Sequence, residues 1–330
     1  MNEKQMEIVE QYDVEVKNSF RSRGCLHVDT DQGLFLLVPY YGSPLRLAYE
    51  LELQNRLIAE GFNNVDQIMT NKEKGLISYD KYRTPFIMKK AFEGKECSLK
   101  EEKDIERACK NLGYLHRTLN TFSDYKVEKR ETPSVPDMLY ARKLELKRIR
   151  NYIKKSGRKT AFELVFTSCY GVFYEEAEKA FQMAASQEPE FFKRAYGICH
   201  GAYHHHNILI LPGDVATLNF GQFHYNQQIL DLYSLMRKAL EKNQYQIRIL
   251  EKAIKGYESE KTLEKEDLLL LKILLSFPEK FWKISNQYYN SKKCWMPPKN
   301  LEKLKKTMEQ NDRRRSFLNE LDMDWNREYF

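Results

Sequence analysis

Two short polar segments separated by a predicted β-hairpin constrain the fold of this chain more than any other feature. The first segment, 199–207, has the sequence Cys-His-Gly-Ala-Tyr-His-His-His-Asn, and the second, 218–221, has the sequence Leu-Asn-Phe-Gly. Between them, two apolar runs at 208–211 and 215–218 flank a Pro-Gly-Asp turn, which is a composition typical of an antiparallel hairpin. The sequence therefore predicts a hairpin that lies between two sets of candidate site residues.

The residues before this region predict a small α+β part. Strands are predicted at 14–16, 26–28, 34–38, 75–79 and 85–89. The Asp-Gln-Gly sequence inside 29–33 predicts a hairpin turn between the second and third strands. A helix is predicted over 45–60, because leucines recur there at helical spacing and Gly61 follows as a C-terminal glycine. The order is strand, strand, strand, helix, strand, strand.

Beyond residue 93 the pattern changes to long amphipathic helices. Helices are predicted at 101–119, 142–159, 173–185, 230–241, 244–257, 263–275 and 301–326. In the first of these, Ile105, Cys109, Leu112, Leu115 and His116 recur on one face. Two prolines within 121–137 predict the main internal loop. We therefore expect two parts, a β-rich lobe with one helix over 1–93 and a helical lobe over 94–330 that carries both polar segments.

Composition restricts the functional class. The chain has 330 residues, of which 42% are hydrophobic and 31% charged, which is typical of a folded protein. Its net charge of +7 arises from 54 basic and 47 acidic residues that are mixed along the chain, so no nucleic-acid partner is expected. The basic stretch 142–159 is interpreted as the solvated face of a helix, in preference to a surface for an anionic partner.

Cysteine usage and the lack of long apolar runs indicate a cytoplasmic protein. Six cysteines are scattered without a C-x-x-C pair, which argues against both a zinc site and a disulfide framework: Cys25, Cys97, Cys109, Cys169, Cys199 and Cys294. The charged N-terminus does not resemble a signal peptide. The most apolar run, 268–275, is too short to span a bilayer, so no membrane insertion is expected.

The two polar segments resemble motifs of a known family. The first resembles the H-G-D-x-H-x-x-N loop of aminoglycoside and choline phosphotransferases, and the second resembles their I-D-F segment. Asp231 follows ten residues after the second segment. This resemblance implies a bilobal protein-kinase-like fold of the α+β class. It also implies a metal-dependent transfer of phosphate, in which carboxylates orient the attacking hydroxyl and hold the metal ions.

Three charged positions of the family are replaced in this sequence. The catalytic aspartate falls on Ala202, and the metal-binding aspartate falls on Asn219, whose neutral amide binds Mg²⁺ only weakly. The lysine that holds phosphate falls on Val38, with no lysine expected nearby, so Glu50 and Glu52 on the next helix are expected to lack their usual partner. Loss of all three removes most of the electrostatic stabilisation of the reaction, which favours a pseudokinase.

No catalytic residue and no metal ligand is therefore assigned, and the retained residues His200, Gly201, Asn207, Phe220 and Asp231 suit structural roles among the candidates. In the degenerate catalytic loop the candidates are His200, Gly201, Ala202, His204 and Asn207, in the degenerate metal loop Asn219, Phe220 and Gly221, with Asp231 in a supporting role. Candidates for lining a cleft are Val38, Glu50, Met88, Asn207 and Asn219.

A second resemblance covers most of the chain, from about Tyr12 to Met296. Seven segments resemble the CotS family of bacterial spore coat proteins: 28–33, 61–65, 92–97, 112–116, 200–207, 231–238 and 278–283. Membership implies the kinase-like fold, synthesis in the cytoplasm of the mother cell and assembly onto the spore, with other coat proteins as partners. Members of that family often retain the H-G-D loop, from which this sequence departs at Ala202 and Asn219.

Three functional hypotheses remain open at this point. The first is a structural or assembly protein of the spore coat without phosphotransfer and without a cofactor. The second is an active small-molecule kinase that uses Mg-ATP, with Asn207, Asn219 and a carboxylate supplied by Asp214 or Asp231. The third is nucleotide binding without catalysis.

The run His204-His205-His206 invites a metal-binding interpretation, because imidazoles are common ligands of transition metals. Adjacent residues in a loop usually point in different directions, and His204 falls on the family's own histidine position. A structural or incidental role is therefore preferred to a metal site.

Overall fold

The computed structural model describes residues 3–22, 24–125, 132–193, 196–290 and 298–328, so Cys294 and part of the predicted loop at 121–137 lie outside the described residues. The chain divides into two compact units. The first comprises Met1–Lys129, Gly197–Tyr225 and Ala253–Lys261, and the second comprises Arg130–Tyr196, Asn226–Lys252 and Thr262–Phe330. The division into lobes at residues 93 and 94 is a different partition of the chain and stays a prediction.

A six-stranded antiparallel sheet forms the N-terminal part of the first unit. The helices and strands of this N-terminal part are α1 (Glu3–Val9), β1 (Val16–Ser22), β2 (Cys25–Thr30), β3 (Gly33–Pro39), α2 (Pro44–Ala59), β4 (Ile68–Met69), β5 (Ser78–Tyr79) and β6 (Pro85–Lys90). The strand order is β1-β2-β3-β6-β4, and β5 pairs with β6. The predicted hairpin is confirmed between β2 and β3, where Thr30 is opposite Gly33. The first strand was misplaced, since 14–16 only touches the start of β1, and both α1 and β4 were missed.

Alternation along the strands sends side chains to both faces of this sheet. On one face Val28, Leu37 and Met88 pack with residues of α1 and the segment after it. On the other face, Ile87 packs with Leu47 of α2. This second face, covered by α2, carries the sheet residues of the candidate site described below.

Helix α2 begins and ends as the sequence predicts. The Ser43 side chain caps the helix by accepting from the backbone N–H of Arg46, and a proline occupies the first turn. Gly61 after the helix has φ +88°, a left-handed conformation that glycine adopts without a steric penalty.

The rest of the first unit holds the elements around the two polar segments. These are β7 (Lys95–Glu96), α3 (Glu102–Leu119), β8 (Tyr196–Cys199), β9 (Ile208–Ile210), β10 (Val215–Thr217) and β11 (His224–Gln227), of which β8 and β11 cross the boundary between the units. The predicted hairpin is confirmed as β9 and β10, and β7 adds to it as a third strand. The predicted apolar face of α3 is also confirmed, because its five residues are all buried.

The second unit is mainly helical. It contains α4 (Val135–Lys155), α5 (Ala161–Ala185), α6 (Ile229–Lys242), the first half of α7 (Ile247–Glu258), α8 (Lys265–Ser276), α9 (Glu279–Asn290), α10 (Pro298–Glu309) and α11 (Asn311–Glu328). The basic helix α4 buries its apolar side chains as expected. It also buries Lys143, which forms a 3.0 Å ion pair with Glu178 of α5, so its basic residues are not all on the solvated face.

The predicted helix over 301–326 is two helices, α10 and α11, which meet at Gln310. Arg314 in α11 is only 6% exposed. Its guanidinium pairs with Glu176 of α5 at 2.7 Å and donates to the carbonyl oxygens of Leu275 and Ser276 at the end of α8. This buried arginine connects α11 to two helices at once, which helical periodicity alone did not show.

Across the described ranges, no helix has an apolar stretch long enough to cross a membrane.

Candidate functional site

The first polar segment is a tight loop between β8 and β9, and Gly201 sets its path. Gly201 has φ +77°, and a Cβ atom built on it would lie 2.1 Å from the carbonyl oxygen of Gln222. Any larger residue would clash with the backbone of Gln222, which cannot move aside as a side chain can. The loop can therefore approach the segment after Asn219 this closely only with glycine at 201.

His200 joins the two polar segments. It is 1% exposed, and its Nδ1 accepts from the backbone N–H of Ala202 at 3.2 Å. Its Nε2 therefore carries the proton and donates to the carbonyl oxygen of Leu218 at 3.0 Å. The ring also packs at 4.8 Å, centroid to centroid, on that of Phe220. His200 and Phe220 thus form the packed link between the loop and the second segment.

Tyr203, which the sequence analysis did not single out, anchors the loop to α3. Its hydroxyl donates to the carbonyl oxygen of Ala108 at 2.7 Å and accepts from the Asn111 amide at 3.0 Å. Burial raises the pKa of Tyr203 well above its ordinary value. An aromatic residue inside a polar loop was the one sequence signal that could have identified it.

Asn207 and Asn219 form a direct amide pair at the centre of the site. The Asn219 Nδ2 donates to the Asn207 Oδ1 at 2.8 Å, and the Asn207 Nδ2 donates to the carbonyl oxygen of Ala202 at 2.9 Å. The backbone carbonyl of Asn207 also accepts from the N–H of Leu218 at 2.9 Å. The oxygen that a metal ion would use on Asn207 therefore already accepts one amide N–H.

The second polar segment is held against α2. Asn219 has φ 62° and ψ 60°, a left-handed conformation that asparagine tolerates better than most residues. Arg46 of α2 donates to the carbonyl oxygens of Gly221, at 3.3 Å, and of Phe223, and lies 3.7 Å from the Phe223 ring centre. A Cβ atom on Gly221 would lie 3.1 Å from a carboxylate oxygen of Glu50.

Glu50 has a lysine partner, contrary to the sequence prediction. The Lys89 Nζ of β6 lies 2.8 Å from the Glu50 Oε1 and 3.4 Å from the Asp66 Oδ2. The Asp66 Oδ2 also accepts from the backbone N–H of Asn219 at 2.8 Å. The three charged side chains, which we call the buried triad, are 9%, 3% and 6% exposed for lysine, glutamate and aspartate.

The prediction failed because the lysine is on a different strand. Val38 on β3 is opposite Ile87 on β6, and Lys89 is two residues along β6 on the same face of the sheet. Diagonal neighbours of this kind are separated by about 7–8 Å. A lysine two positions after a buried isoleucine in a predicted strand was the signal that could have placed Lys89 in the interior.

The buried triad contains two carboxylates and one lysine, and its charges perturb each other. Burial raises the pKa of Asp66 to about 6, since Lys89 and the Asn219 N–H only partly offset the cost of removing the carboxylate from water. Burial alone would lower the pKa of Lys89, but Asp66 and Glu50 outweigh it and hold that pKa above its ordinary value. Lys89 is therefore charged, and its ammonium group is paired with both carboxylates inside the protein.

The structure brings some of the remaining candidates to this site and separates others. Val38 packs against α2 on the same sheet face as the buried triad. Met88 does not join them, because it lies in the core on the opposite face with Tyr12 and Val28. His204 is at the site, with its Nε2 3.4 Å from the Asn207 Nδ2.

Of the two carboxylates suggested as a substitute base, Asp214 lies in the same unit as the amide pair and Asp231 lies in the other. Asp214 lies in the β9–β10 turn, where its side chain accepts from Asn64 at 2.6 Å and from the N–H of Val215 at 2.7 Å. That turn is at the opposite end of the hairpin from Asn207, a separation of about 10 Å over three strand residues. Asp231 lies in the second unit, buried in the first turn of α6.

The residues at this site do not fit a magnesium–nucleotide complex. Mg²⁺ is usually held in such sites by one or two carboxylates together with waters and phosphate oxygens. Ala202 offers no side-chain oxygen, Asn219 is an amide that turns its N–H toward Asn207, and the Asp66 carboxylate that contacts Asn219 is paired with Lys89. Chemically, the arrangement links α2, the sheet and both polar segments through buried polar contacts.

Comparison with known families gives the identity of the fold. A family model described as "Spore coat putative kinase YutH" matches residues 5–321. The chain belongs to this spore coat family. The resemblance to spore coat proteins with a kinase-like fold is thereby confirmed. A comparison with curated protein sequences finds no match.

Solved structures of phosphotransferases share the fold. An aminoglycoside phosphotransferase from Alicyclobacillus acidocaldarius superposes with a TM-score of 0.86 at 16% identity, covering 98% of this chain and 96% of its own. A spectinomycin phosphotransferase solved with ADP and spectinomycin gives 0.67 at 13% identity, covering 95% and 98%. A choline kinase from Cryptosporidium parvum gives 0.52 at 14%, covering 96% and 90%. The predicted kinase-like fold of the α+β class is confirmed, and at these identities the likeness shows the fold alone.

Proposed function

We propose that this protein is a structural or assembly component of the spore coat, built on a kinase-like fold that does not transfer phosphate. Membership of the spore coat family supports the location at the coat. The site supports the loss of activity, since it has an alanine and an asparagine where the family's chemistry requires carboxylates.

The observation that carries this proposal is the hydrogen bond from the Asn219 Nδ2 to the Asn207 Oδ1, at 2.8 Å. In an active site of this family both residues would turn an oxygen toward a metal ion. Here the Asn219 amide turns its N–H toward Asn207, so the two side chains do not both direct an oxygen at one point. The pair serves instead to fix the two polar segments against each other.

The direct test is an assay of ATP consumption by the purified chain with Mg²⁺, with and without small alcohols and amino sugars as acceptors. We expect no turnover above the background of a mock purification. Asn207→Ala and Asn219→Ala are the matched controls, since a contaminating ATPase would persist in both. Turnover in the wild type that disappears in these variants would refute the proposal.

A second candidate function, nucleotide binding without transfer, is favoured by the Lys89–Glu50 ion pair. An ion pair between a sheet lysine and a helix glutamate is a part of the active kinase arrangement, where the lysine holds phosphate. Here Lys89 is also paired with Asp66 and is buried, which disfavours its release to a phosphate.

Thermal unfolding separates this candidate from the first, because a ligand of the native state raises its stability. We expect no shift of the unfolding midpoint at millimolar Mg-ATP. A saturable shift that Lys89→Met reduces and Lys90→Met leaves intact would establish the second candidate instead.

The proposed cellular role has its own test. We propose synthesis in the mother-cell cytoplasm during sporulation, followed by assembly with other coat proteins. A fluorescent fusion should therefore move from the mother-cell cytoplasm to the forespore surface, and the protein should co-purify with coat extracts. Uniform fluorescence that persists in mature sporangia would contradict this role.

A further inference from the structure

A cluster of three side chains lies beside the first polar segment but is not part of the amide pair or the buried triad. Glu96 is in β7, whereas His205 and His206 form the short turn that precedes β9. Strand β7 pairs with β9, with Glu96 opposite Leu209. The sheet therefore brings a carboxylate from residue 96 next to two imidazoles more than a hundred residues later in the chain.

The three side chains converge on a common point. Each offers one ligand atom, an imidazole nitrogen or a carboxylate oxygen, and these atoms all lie within 4.8 Å of one another. The His206 Nδ1 is in direct hydrogen-bonding contact with the Glu96 Oε1. The rings of His205 and His206 have centroids 3.8 Å apart and planes inclined by 36°. The expectation that neighbouring loop histidines point apart is therefore wrong for this pair.

A simple histidine–carboxylate ion pair explains only part of this geometry. It accounts for the contact of His206 with Glu96, and the His205 ring beside His206 adds a second imidazole to the same place. Two imidazoles and a carboxylate that converge in this way can share one cation, since neutral imidazole nitrogens and carboxylate oxygens are common ligands of zinc. The presence of two nitrogen donors and one oxygen donor at one point favours the cation.

The dimensions fit a small transition-metal ion after modest side-chain adjustment. Zinc binds imidazole nitrogen and carboxylate oxygen at about 2.0–2.2 Å, so tetrahedral ligand atoms lie about 3.4 Å apart. The 4.8 Å limit of the cluster requires movements on the order of 1 Å. His206 is 59% exposed, so these movements are available, and water can reach a fourth position.

We propose that Glu96, His205 and His206 bind one Zn²⁺ ion, with water in the remaining position. The donor set favours zinc and related ions such as Ni²⁺ or Cu²⁺ over Mg²⁺ and Ca²⁺, which prefer oxygen ligands. The bound ion connects β7 to the turn before β9. This inference is independent of the proposed function, because neither Asn207 nor Asn219 is a ligand.

The test is a Zn²⁺ titration of untagged protein in competition with a chromophoric chelator. We expect one ion per chain. Glu96→Gln and the double variant His205→Gln/His206→Gln should each bind at least about tenfold more weakly, since each removes ligand atoms. Millimolar Mg²⁺ should not displace the ion. Co²⁺ should give a visible spectrum of nitrogen and oxygen ligation without an intense thiolate charge-transfer band.

Matched controls keep the result specific. Glu93→Gln removes an exposed carboxylate three residues before Glu96, and His224→Gln removes a histidine of the same unit outside the cluster, and both should bind as the wild type does. The unfolding midpoints of the ligand variants in chelator should match the wild type. Wild-type protein that does not compete with the chelator would overturn the proposal, as would undiminished binding by Glu96→Gln and the double variant.

Discussion

Lys89 in β6 and Glu50 in α2 form a buried ion pair, with 2.8 Å between the Nζ and Oε1 atoms. Asp66 adds a second carboxylate to the same lysine and accepts the backbone N–H of Asn219. The pair thus connects the sheet and its covering helix to the second polar segment of the site. Its charges therefore hold three segments of the fold together through buried contacts.

Replacing Lys89 tests this role. Lys89→Met leaves Glu50 and Asp66 buried without a compensating cation, so we expect the free energy of unfolding at pH 7 to fall by about 3–5 kcal/mol. Denaturant unfolding followed by circular dichroism measures this change. The control is Lys90→Met, since the next lysine is exposed and its loss should cost less than about 0.5 kcal/mol. Equal effects of the two substitutions would show that the ion pair does not stabilise the fold.

The elements that sequence predicted well are those set by local chemistry. The β9–β10 hairpin follows from a Pro-Gly-Asp turn between apolar runs, and α2 follows from its leucine spacing and Gly61. The face of α3 also follows from a 3.6-residue period. In each case the determining residues lie within one segment of about twenty residues, so neighbouring sequence was sufficient.

The features that sequence missed depend on contacts between distant segments. Lys89 was assigned to a predicted strand, but the sequence did not show which face of the sheet it lies on. No local pattern around Asp66 predicts that its carboxylate is buried beside Lys89. Glu96 and His206 are 110 residues apart, so only the pairing of β7 with β9 reveals their contact. The motif alignment made Asn207 and Asn219 candidates for the same cleft, but it could not show that their amides bond directly to each other.

The raised pKa of Asp66 predicts a specific pH dependence. An aspartate whose pKa is about 6 in the folded protein and 3.8 when unfolded binds its proton more tightly in the folded state. Its contribution to stability is therefore fully present below pH 4 and is lost as the pH rises through 6. The stability of wild type relative to Asp66→Asn should fall by about 2–2.5 kcal/mol between pH 4 and pH 7. Urea unfolding at several pH values measures the difference.

Asp124→Asn is the control for this measurement. Asp124 is exposed, and its hydrogen bond with Arg56 lowers the pKa of the carboxyl group. Its contribution to stability is present above the ordinary pKa and is lost as the pH falls. The free energy of unfolding of the wild type relative to this variant should therefore increase slightly as the pH rises. If the two variants show slopes of the same sign, Asp66 does not have the raised pKa.

Gly201 and Gly213 allow a test of how closely the loop approaches the second segment. Both have φ +77°, but a Cβ atom at 201 meets the Gln222 carbonyl, whereas nothing lies within 4 Å of one at 213. Gly213→Ala should cost only the left-handed backbone penalty of about 1–2 kcal/mol. Gly201→Ala should cost about 1–3 kcal/mol more, because the backbone must also move. Equal costs in denaturant unfolding would show that the loop does not pack against Gln222.

Arg314 in α11 should stabilise the second unit far more than its neighbour Arg315. Arg314 is buried against Glu176 and donates to two carbonyl groups at the end of α8, whereas the Arg315 side chain is 59% exposed and lies 3.9 Å from Glu176. Arg314→Met leaves the carbonyls unsatisfied and Glu176 without its closer partner, so the free energy of unfolding should fall by about 3 kcal/mol. Arg315→Met should change it by less than about 0.5 kcal/mol, because exposed ion pairs contribute little. Thermal and denaturant unfolding of the two variants measures the contrast, and similar values for both would remove the assigned role of Arg314 in holding α11 to α5 and α8.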